Sequence, residues 1–273
     1  MMRTLVMRLV ALFTPLLVAS APLAATGLTP GVSEFNVELP REIRTLAGRG
    51  QLSPVTHALV TIAVPENFDA ARDWPVLIVN ATFIVEYHSS RRLLRAYAAT
   101  ALAAGWITIA ADPAEEVSAE QDDVPLRYAL DKAALSALEA LWPGARKAPL
   151  ACGGFSGGAM FSGWLAAVFA KEGRNVIGMY LAGLHYNTAL AAARQLDLLN
   201  ETYRRVPVFL QSGLTDEVAT TADHQRVERE LHRAGFRNVR IEYFPDSHVV
   251  NPRPLGMALD WFLELATHPA PSR

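Results

Sequence analysis

The apolar positions of this chain change period repeatedly between residues 34 and 265, and each change marks a new element. Residues 34–39 alternate apolar and polar side chains, and residues 56–64 do so more loosely, which predicts two opening strands in an antiparallel lead-in. Residues 74–79 read Trp-Pro-Val-Leu-Ile-Val, a dense run suited to a central strand buried on both faces. A helix is predicted over 91–104, with Ser89 and Ser90 as caps in front and Gly105 as the stop behind. The strand at 106–111 ends in Asp112-Pro113 and leads to an acidic stretch, 115–123, read as a solvated connection. Leu126, Leu130, Ala134, Leu138 and Leu141 then recur at helical spacing until Trp142-Pro143-Gly144.

A compact apolar run at 149–152 predicts another strand, and the helical pattern of 159–170 gathers Phe161, Leu165, Val168 and Phe169 on one side. Strands at 176–181, 206–211 and 239–244 then take turns with helices at 188–199, 222–234 and 256–265. Regular alternation of this kind predicts an α/β fold: a mainly parallel central sheet with helices on both faces. The longest stretch available for a cap is 183–205, and most of it has a helical pattern, so the cap is expected to be minimal.

Between the strand at 149–152 and the helix that follows lies Gly153-Gly154-Phe155-Ser156-Gly157-Gly158. A serine with glycines two positions before and two after, set between strand and helix, fits the G-x-S-x-G nucleophile elbow. Side chains at those flanking positions would collide with neighbouring backbone, and the strained turn leaves the serine Oγ exposed. The Gly157 N–H, at the start of the helix, is placed to meet a developing oxyanion. Ligands in such a sheet sit beyond the carboxyl ends of the strands. Two further segments end there: Ser212-Gly213-Leu214-Thr215-Asp216 after one late strand, and Pro245-Asp246-Ser247-His248 after the last. Serine, acid and histidine thus come in the order Ser156, Asp216, His248.

Through Gly154-Phe155-Ser156-Gly157-Gly158, Gly213-Leu214-Thr215-Asp216 and Asp246-Ser247-His248, the chain resembles the α/β-hydrolase superfamily, in its serine esterase-like branch. The resemblance runs from about Val55 to Ala266 and implies an α/β-hydrolase fold with Ser156 as nucleophile, His248 as base and Asp216 as the acid that orients it. Glu217, Asp246 and Asp112 are the competing acids, Asp246 foremost. Many relatives carry His-Gly after the first central strand, where this chain reads Asn80-Ala81-Thr82-Phe83. The second oxyanion donor is assigned to the Thr82 N–H, with Ala81 and Phe83 as alternatives, because a backbone donor does not depend on the side chain. Phe83, Tyr87, Phe155, His185 and Tyr186 are expected to wall the substrate pocket, aromatic side chains in strand-end loops otherwise being core edge. The implied activity is hydrolysis of small or polymeric carboxylic esters through an acyl-enzyme. Amide or peptide cleavage, acyl transfer, and a non-catalytic binding protein on the same fold are the alternatives.

Composition narrows this picture further. With 51% hydrophobic and 19% charged residues and a formal charge of −2, the 273-residue chain has neither the profile of a disordered protein nor that of a nucleic-acid binder. Arg3 and Arg8 precede an apolar run from Leu9 to Ala21, too short for a comfortable membrane span, so residues 1–25 read as an export signal and 26–273 as one domain. The mature protein is then expected to be secreted or periplasmic, without stable membrane insertion; an uncleaved anchor is the alternative. Cys152 is the sole cysteine, which excludes an intramolecular disulfide. The sequence contains no His-Glu-x-x-His, no cysteine pair and no G-x-G-x-x-G fingerprint, so neither metal nor cofactor is expected.

Overall fold

The computed structural model describes residues 27–82 and 89–268; the export signal read at residues 1–25 lies outside them, as do Phe83 and Tyr87. The first described strands are an antiparallel pair, β1 (Gly31–Glu38) and β2 (His57–Val64), paired from Gly31↔Val64 to Glu38↔His57. β1 exposes alternate residues along its whole length, as an edge strand with one covered face must. Between the pair lies a short helix, α1 (Arg41–Ala47), which buries Ile43 and Ala47. Its seven residues hold one apolar i, i+4 pair, too brief a period to have been read from the pattern.

The remaining elements alternate: β3 (Val76–Asn80), α2 (Ser90–Ala103), β4 (Ile107–Pro113), α3 (Val124–Leu141), β5 (Leu150–Phe155), α4 (Gly157–Lys171), β6 (Val176–Ala182), α5 (Thr188–Gln195), α6 (Glu201–Arg204), β7 (Val208–Gly213), α7 (Thr221–Arg233), β8 (Val239–Phe244) and α8 (Arg253–Thr267). The sheet order is β1-β2-β4-β3-β5-β6-β7-β8. β2 runs antiparallel to β1 and β4, and every other pairing is parallel, so the mainly parallel sheet expected from the alternation is present.

The two faces of the sheet divide the core by strand parity. Val76, Ile78, Cys152, Met179, Leu181 and Leu210 face one layer, with apolar residues of α1, α3, α4, α5 and α7. Leu77, Val79, Ala151, Tyr180 and Phe209 face the other, with α2 and α8. Successive strand residues point to opposite faces, so a strand covered by helices on both sides has to be apolar throughout. That is why β3, β5 and β6 carry no exposed position.

Two boundaries and the setting of one acidic stretch differ from the sequence expectation in ways that matter for the site. β5 continues through Gly153 and Gly154 to Phe155, because its pairing with Val79 and Asn80 of β3 and with Tyr180 to Ala182 of β6 uses backbone groups and needs no side chain. The helix predicted over 188–199 stops at Gln195, followed by Asp197 at φ 54° and the separate turn α6. α5 buries Ala189, Leu190, Ala192 and Ala193 in the layer that holds Leu165 and Phe169 of α4, so the helix of the longest stretch available for a cap packs into the core. The acidic stretch 115–123 is also less solvated than its composition suggests. Asp122 turns inward onto Arg127, and Asp123 caps α3 by accepting from the Leu126 N–H at 3.0 Å.

Candidate active site

Ser156 sits between the last residue of β5 and the first of α4 at φ 55°, ψ −123°. A non-glycine residue there is strained by about 1–3 kcal/mol and persists only where its surroundings over-determine it. Backbone bonds do so here: the Ser156 N–H donates to the Ala182 carbonyl at 2.8 Å, and the Ser156 carbonyl accepts from the Met160 N–H at 3.2 Å. The flanking glycines permit the turn sterically. A β-carbon at Gly154 or Gly158 would overlap the Asn80 carbonyl oxygen, and one at Gly158 would also lie 2.6 Å from the Ala81 Cα. β3 and the elbow therefore approach each other at a distance only glycine allows.

His248, after β8, brings its Nε2 to 3.0 Å from the Ser156 Oγ and its Nδ1 to 2.7 Å from the Asp216 Oδ2. Asp216 is 6% exposed. Its other oxygen, Oδ1, accepts from the Val218 and Ala219 N–H groups at 2.8 and 2.7 Å, leaving Oδ2 for the imidazole. The acceptor at Nδ1 places the ring proton there, so Nε2 presents a lone pair to the serine hydroxyl. The strand-end loops are joined through their backbones, Leu214 N–H to the Phe244 carbonyl and Thr215 N–H to the Asp246 carbonyl, at 2.9 and 3.0 Å. Of the competing carboxylates, Asp246 is exposed and accepts from the Ser247 N–H, while Asp112 accepts from the Ser90 and Arg91 N–H groups at the start of α2.

Thr82 lies against the elbow: a β-carbon on Gly157 would fall 2.6 Å from both Cβ and Oγ1 of Thr82. Gly157 opens α4, so its N–H belongs to the first turn, which has no intrahelical acceptor. Phe155 is buried, and its ring packs on the His248 imidazole with centroids 4.6 Å apart; its contact is with the histidine. His185 is half-buried and its carbonyl accepts from Arg226 Nη2 at 2.8 Å, whereas Tyr186 is 60% exposed. Among the described residues, no group of three or more His, Cys, Asp or Glu side chains could hold a metal ion, and no helix is long and apolar enough to cross a membrane.

Solved structures share this arrangement of strands and helices along most of the chain. A cold-adapted esterase from an Arctic intertidal metagenomic library aligns with a TM-score of 0.56 at 16% identity, over 92% of this chain and 99% of its own. A serine hydrolase without a lid from Xanthomonas campestris aligns with a TM-score of 0.58 at 15% identity, over 90% and 99%. The fold is that of the α/β-hydrolases. A putative dipeptidyl aminopeptidase IV from Bacteroides ovatus also aligns, with a TM-score of 0.51 at 12% identity, but the alignment takes in 87% of this chain and only 35% of that one. No family model and no curated protein matches the sequence.

Two further residues of this site, Gly183 and His224, do not stand out in the sequence pattern. Gly183, one residue past β6, has φ 62°, and a β-carbon on it would come 2.9 Å from His248 Cε1 and 3.0 Å from Phe155 Cε2. It is the floor under the imidazole, and its place directly after a strand tip was the available signal.

His224, on α7, is fully buried. Its Nδ1 faces the Thr220 carbonyl at 3.0 Å and its Nε2 accepts the Leu184 N–H at 3.1 Å, so it ties the loop after β6 to the loop that carries Asp216. Desolvation holds its pKa below the usual histidine value, against the pull of the Thr220 carbonyl and of Asp216. A depressed histidine makes a contribution that is complete above about pH 6.5 and lost as pH falls through its folded value, because the unfolded chain then binds the extra proton. The stability difference between the wild type and His224→Gln, followed by thermal melts, is expected to shrink steadily as pH falls below about 6.5. A difference constant down to pH 5 would contradict it.

Proposed function

We propose that the protein is a serine hydrolase that cleaves carboxylic esters through a covalent acyl-enzyme. The observation that carries this reading is the continuous relay from Ser156 Oγ to His248 Nε2 at 3.0 Å and from His248 Nδ1 to Asp216 at 2.7 Å, mounted on a strained elbow. In the first step His248 takes the hydroxyl proton as Ser156 Oγ attacks the ester carbon, and Asp216 stabilises the imidazolium that forms. The carbonyl oxygen becomes an oxyanion, for which the Gly157 and Thr82 N–H groups are the donors. The C–O bond then breaks, with His248 returning its proton to the departing alcohol. Water repeats the sequence on the acyl-serine and regenerates the enzyme.

Esters are the proposed substrates by likeness to the cold-adapted esterase, which this chain matches over 92% of its own length and 99% of that one's. The absence of a separate cap among the described residues supports an open site, suited to polymeric as well as small esters. His185 and Tyr186 are proposed to form part of its wall, together with Phe83 and Tyr87. The apolar leader with Arg3 and Arg8 supports export to the periplasm or medium, residues 26–273 being the mature domain.

The test is treatment with a fluorophosphonate followed by peptide mass spectrometry, alongside hydrolysis of short-chain p-nitrophenyl esters. Labelling confined to Ser156, with ester turnover abolished in step with it, is expected. An unlabelled protein inert toward a broad ester panel would sink the reading and leave a non-catalytic binding protein in its place.

A further inference from the structure

Beneath the elbow, the segment that leads into Thr82 is held at consecutive residues, Asn80 from α3 and Ala81 from the first residue of α2, which α3 engages in turn. Asn80 ends β3, and its carbonyl lies against Gly154 and Gly158. Its side-chain Nδ2 donates to Asp131 Oδ2 at 3.0 Å. The next residue, Ala81, donates its N–H to the Ser90 Oγ at 3.1 Å. That hydroxyl oxygen also accepts from Arg127 Nη1 at 2.9 Å, while Arg127 Nε and Nη2 grip the two oxygens of Asp122 at 2.5 and 2.9 Å. Asp112 stands 3.5 Å from Arg127 Nη1 and takes the Ser90 and Arg91 N–H groups. Asn80, Ser90, Arg127 and Asp131 are all at most 1% exposed.

Burying an arginine and carboxylates in an apolar layer is a poor route to stability, since well-packed hydrophobic residues of the same volume do as well or better. Buried hydrogen-bond networks do restrict geometry, because each member accepts few alternatives; here Asn80 Oδ1 is left without a partner, so the Nδ2 bond to Asp131 is what fixes that side chain. Burial pushes the Asp131 carboxyl up to about 7, with the Asn80 hydrogen bond and the Arg127 charge opposing it. Oδ2 can accept from Asn80 in either protonation state.

We propose that Asp131 and Arg127 are positioning residues that set the distance between the Thr82 N–H and Ser156, Asp131 acting through the Asn80 side chain and Arg127 through the Ser90 hydroxyl. The inference rests on the reading of Ser156 as nucleophile and of the Thr82 N–H as an oxyanion donor. Neither positioning residue touches substrate. Their effect belongs to the tetrahedral step, when the oxyanion moves into the donors, and so to kcat more than to KM.

Ser90→Ala, Asp131→Ala and Asp131→Asn are to be compared with wild type and Ser156→Ala. Turnover of a p-nitrophenyl ester is expressed per site titrated to completion with fluorophosphonate, and inhibition by a trifluoromethyl ketone, which forms a tetrahedral adduct, is measured beside it. Ser90→Ala and Asp131→Ala are expected to lower kcat per site about 10- to 100-fold with KM shifted less than about threefold, and to weaken the ketone in proportion. Asp131→Asn keeps an oxygen facing Asn80 and is expected to recover most of the loss. Ser90→Ala removes a single hydroxyl, so it keeps the test decisive if Asp131→Ala fails to fold. A kcat per site within about twofold of wild type in Ser90→Ala, or an Asp131→Asn no better than Asp131→Ala, overturns the proposal. Ester turnover surviving in Ser156→Ala would instead overturn the nucleophile reading beneath it, an outcome read from a different variant.

Discussion

Replacing Asp216 by asparagine is expected to lower kcat by about 10⁴ with little change in the melting temperature. The size of the effect follows from how the carboxylate is partnered. Oδ1 accepts two backbone N–H groups, from Val218 and Ala219, and an amide NH2 placed there would set donor against donor. The asparagine must therefore keep its oxygen on those two groups and turn its NH2 toward His248 Nδ1. Nδ1 then becomes the acceptor and Nε2 carries the proton, so the imidazole offers the Ser156 hydroxyl an N–H where it needs a lone pair. Fold and geometry survive, and the tautomer is wrong. The control is Asp246→Asn, two residues from His248 in sequence but exposed and turned to the Ser247 N–H. Steady-state kinetics on an ester substrate should find it within about twofold of wild type. A large loss in Asp246→Asn with Asp216→Asn unaffected would reverse the assignment of the acid.

The second large effect is structural. Gly158→Ala is expected to cost more than about 3 kcal/mol, or to prevent folding, although alanine in a helix is otherwise favoured over glycine by about 1 kcal/mol. The clash decides the sign. The new β-carbon would overlap the Asn80 carbonyl oxygen and stand 2.6 Å from the Ala81 Cα, and both are backbone atoms at the end of a fully buried strand. Gly157→Ala meets Thr82 instead, at 2.6 Å from a Cβ that side-chain rotation cannot move, so Thr82 itself must shift and the stability loss should be about 1–3 kcal/mol. Thermal denaturation of the two variants gives the comparison, and a Gly158→Ala protein as stable as wild type would show that β3 and the elbow can separate.

The contrast between these glycines illustrates how far the sequence can be read. That position 158 had to be glycine was visible from its spacing to Ser156, but which backbone fills the space was not. Gly183 shows the opposite case. It was unremarked in the sequence because glycine after a strand is ordinary, and its closeness to His248 Cε1 exists only once β6 and the last loop are assembled side by side. His224 is a buried tie between two loops, which the amphipathic pattern of α7 does not distinguish from any other inward-facing position.

Asp112, Asp122 and Asp131 carry the same lesson for charge. From their neighbours in the chain, Asp112 reads as a strand end and Asp122 as part of a solvated loop. In the structure Asp112 and Asp122 converge on Arg127, and Asp131 takes up Asn80. Carboxylates are buried when a cation or a row of N–H groups is brought to them, and the partners here come from segments up to 51 residues away in the chain.

By itself, the amino-acid sequence determined the alternation of strands and helices, the two-faced sheet it requires, and a serine between glycines at a strand-to-helix turn. These depend on periodicity and on local sterics, which act over a few residues. Only the tertiary structure decided the strand order, which carboxylate meets His248, that Phe155 lies under the imidazole, and that α3 reaches the end of β3. Those contacts join segments distant in the chain, and their distances follow from how the sheet twists and the helices pack, which no local period encodes.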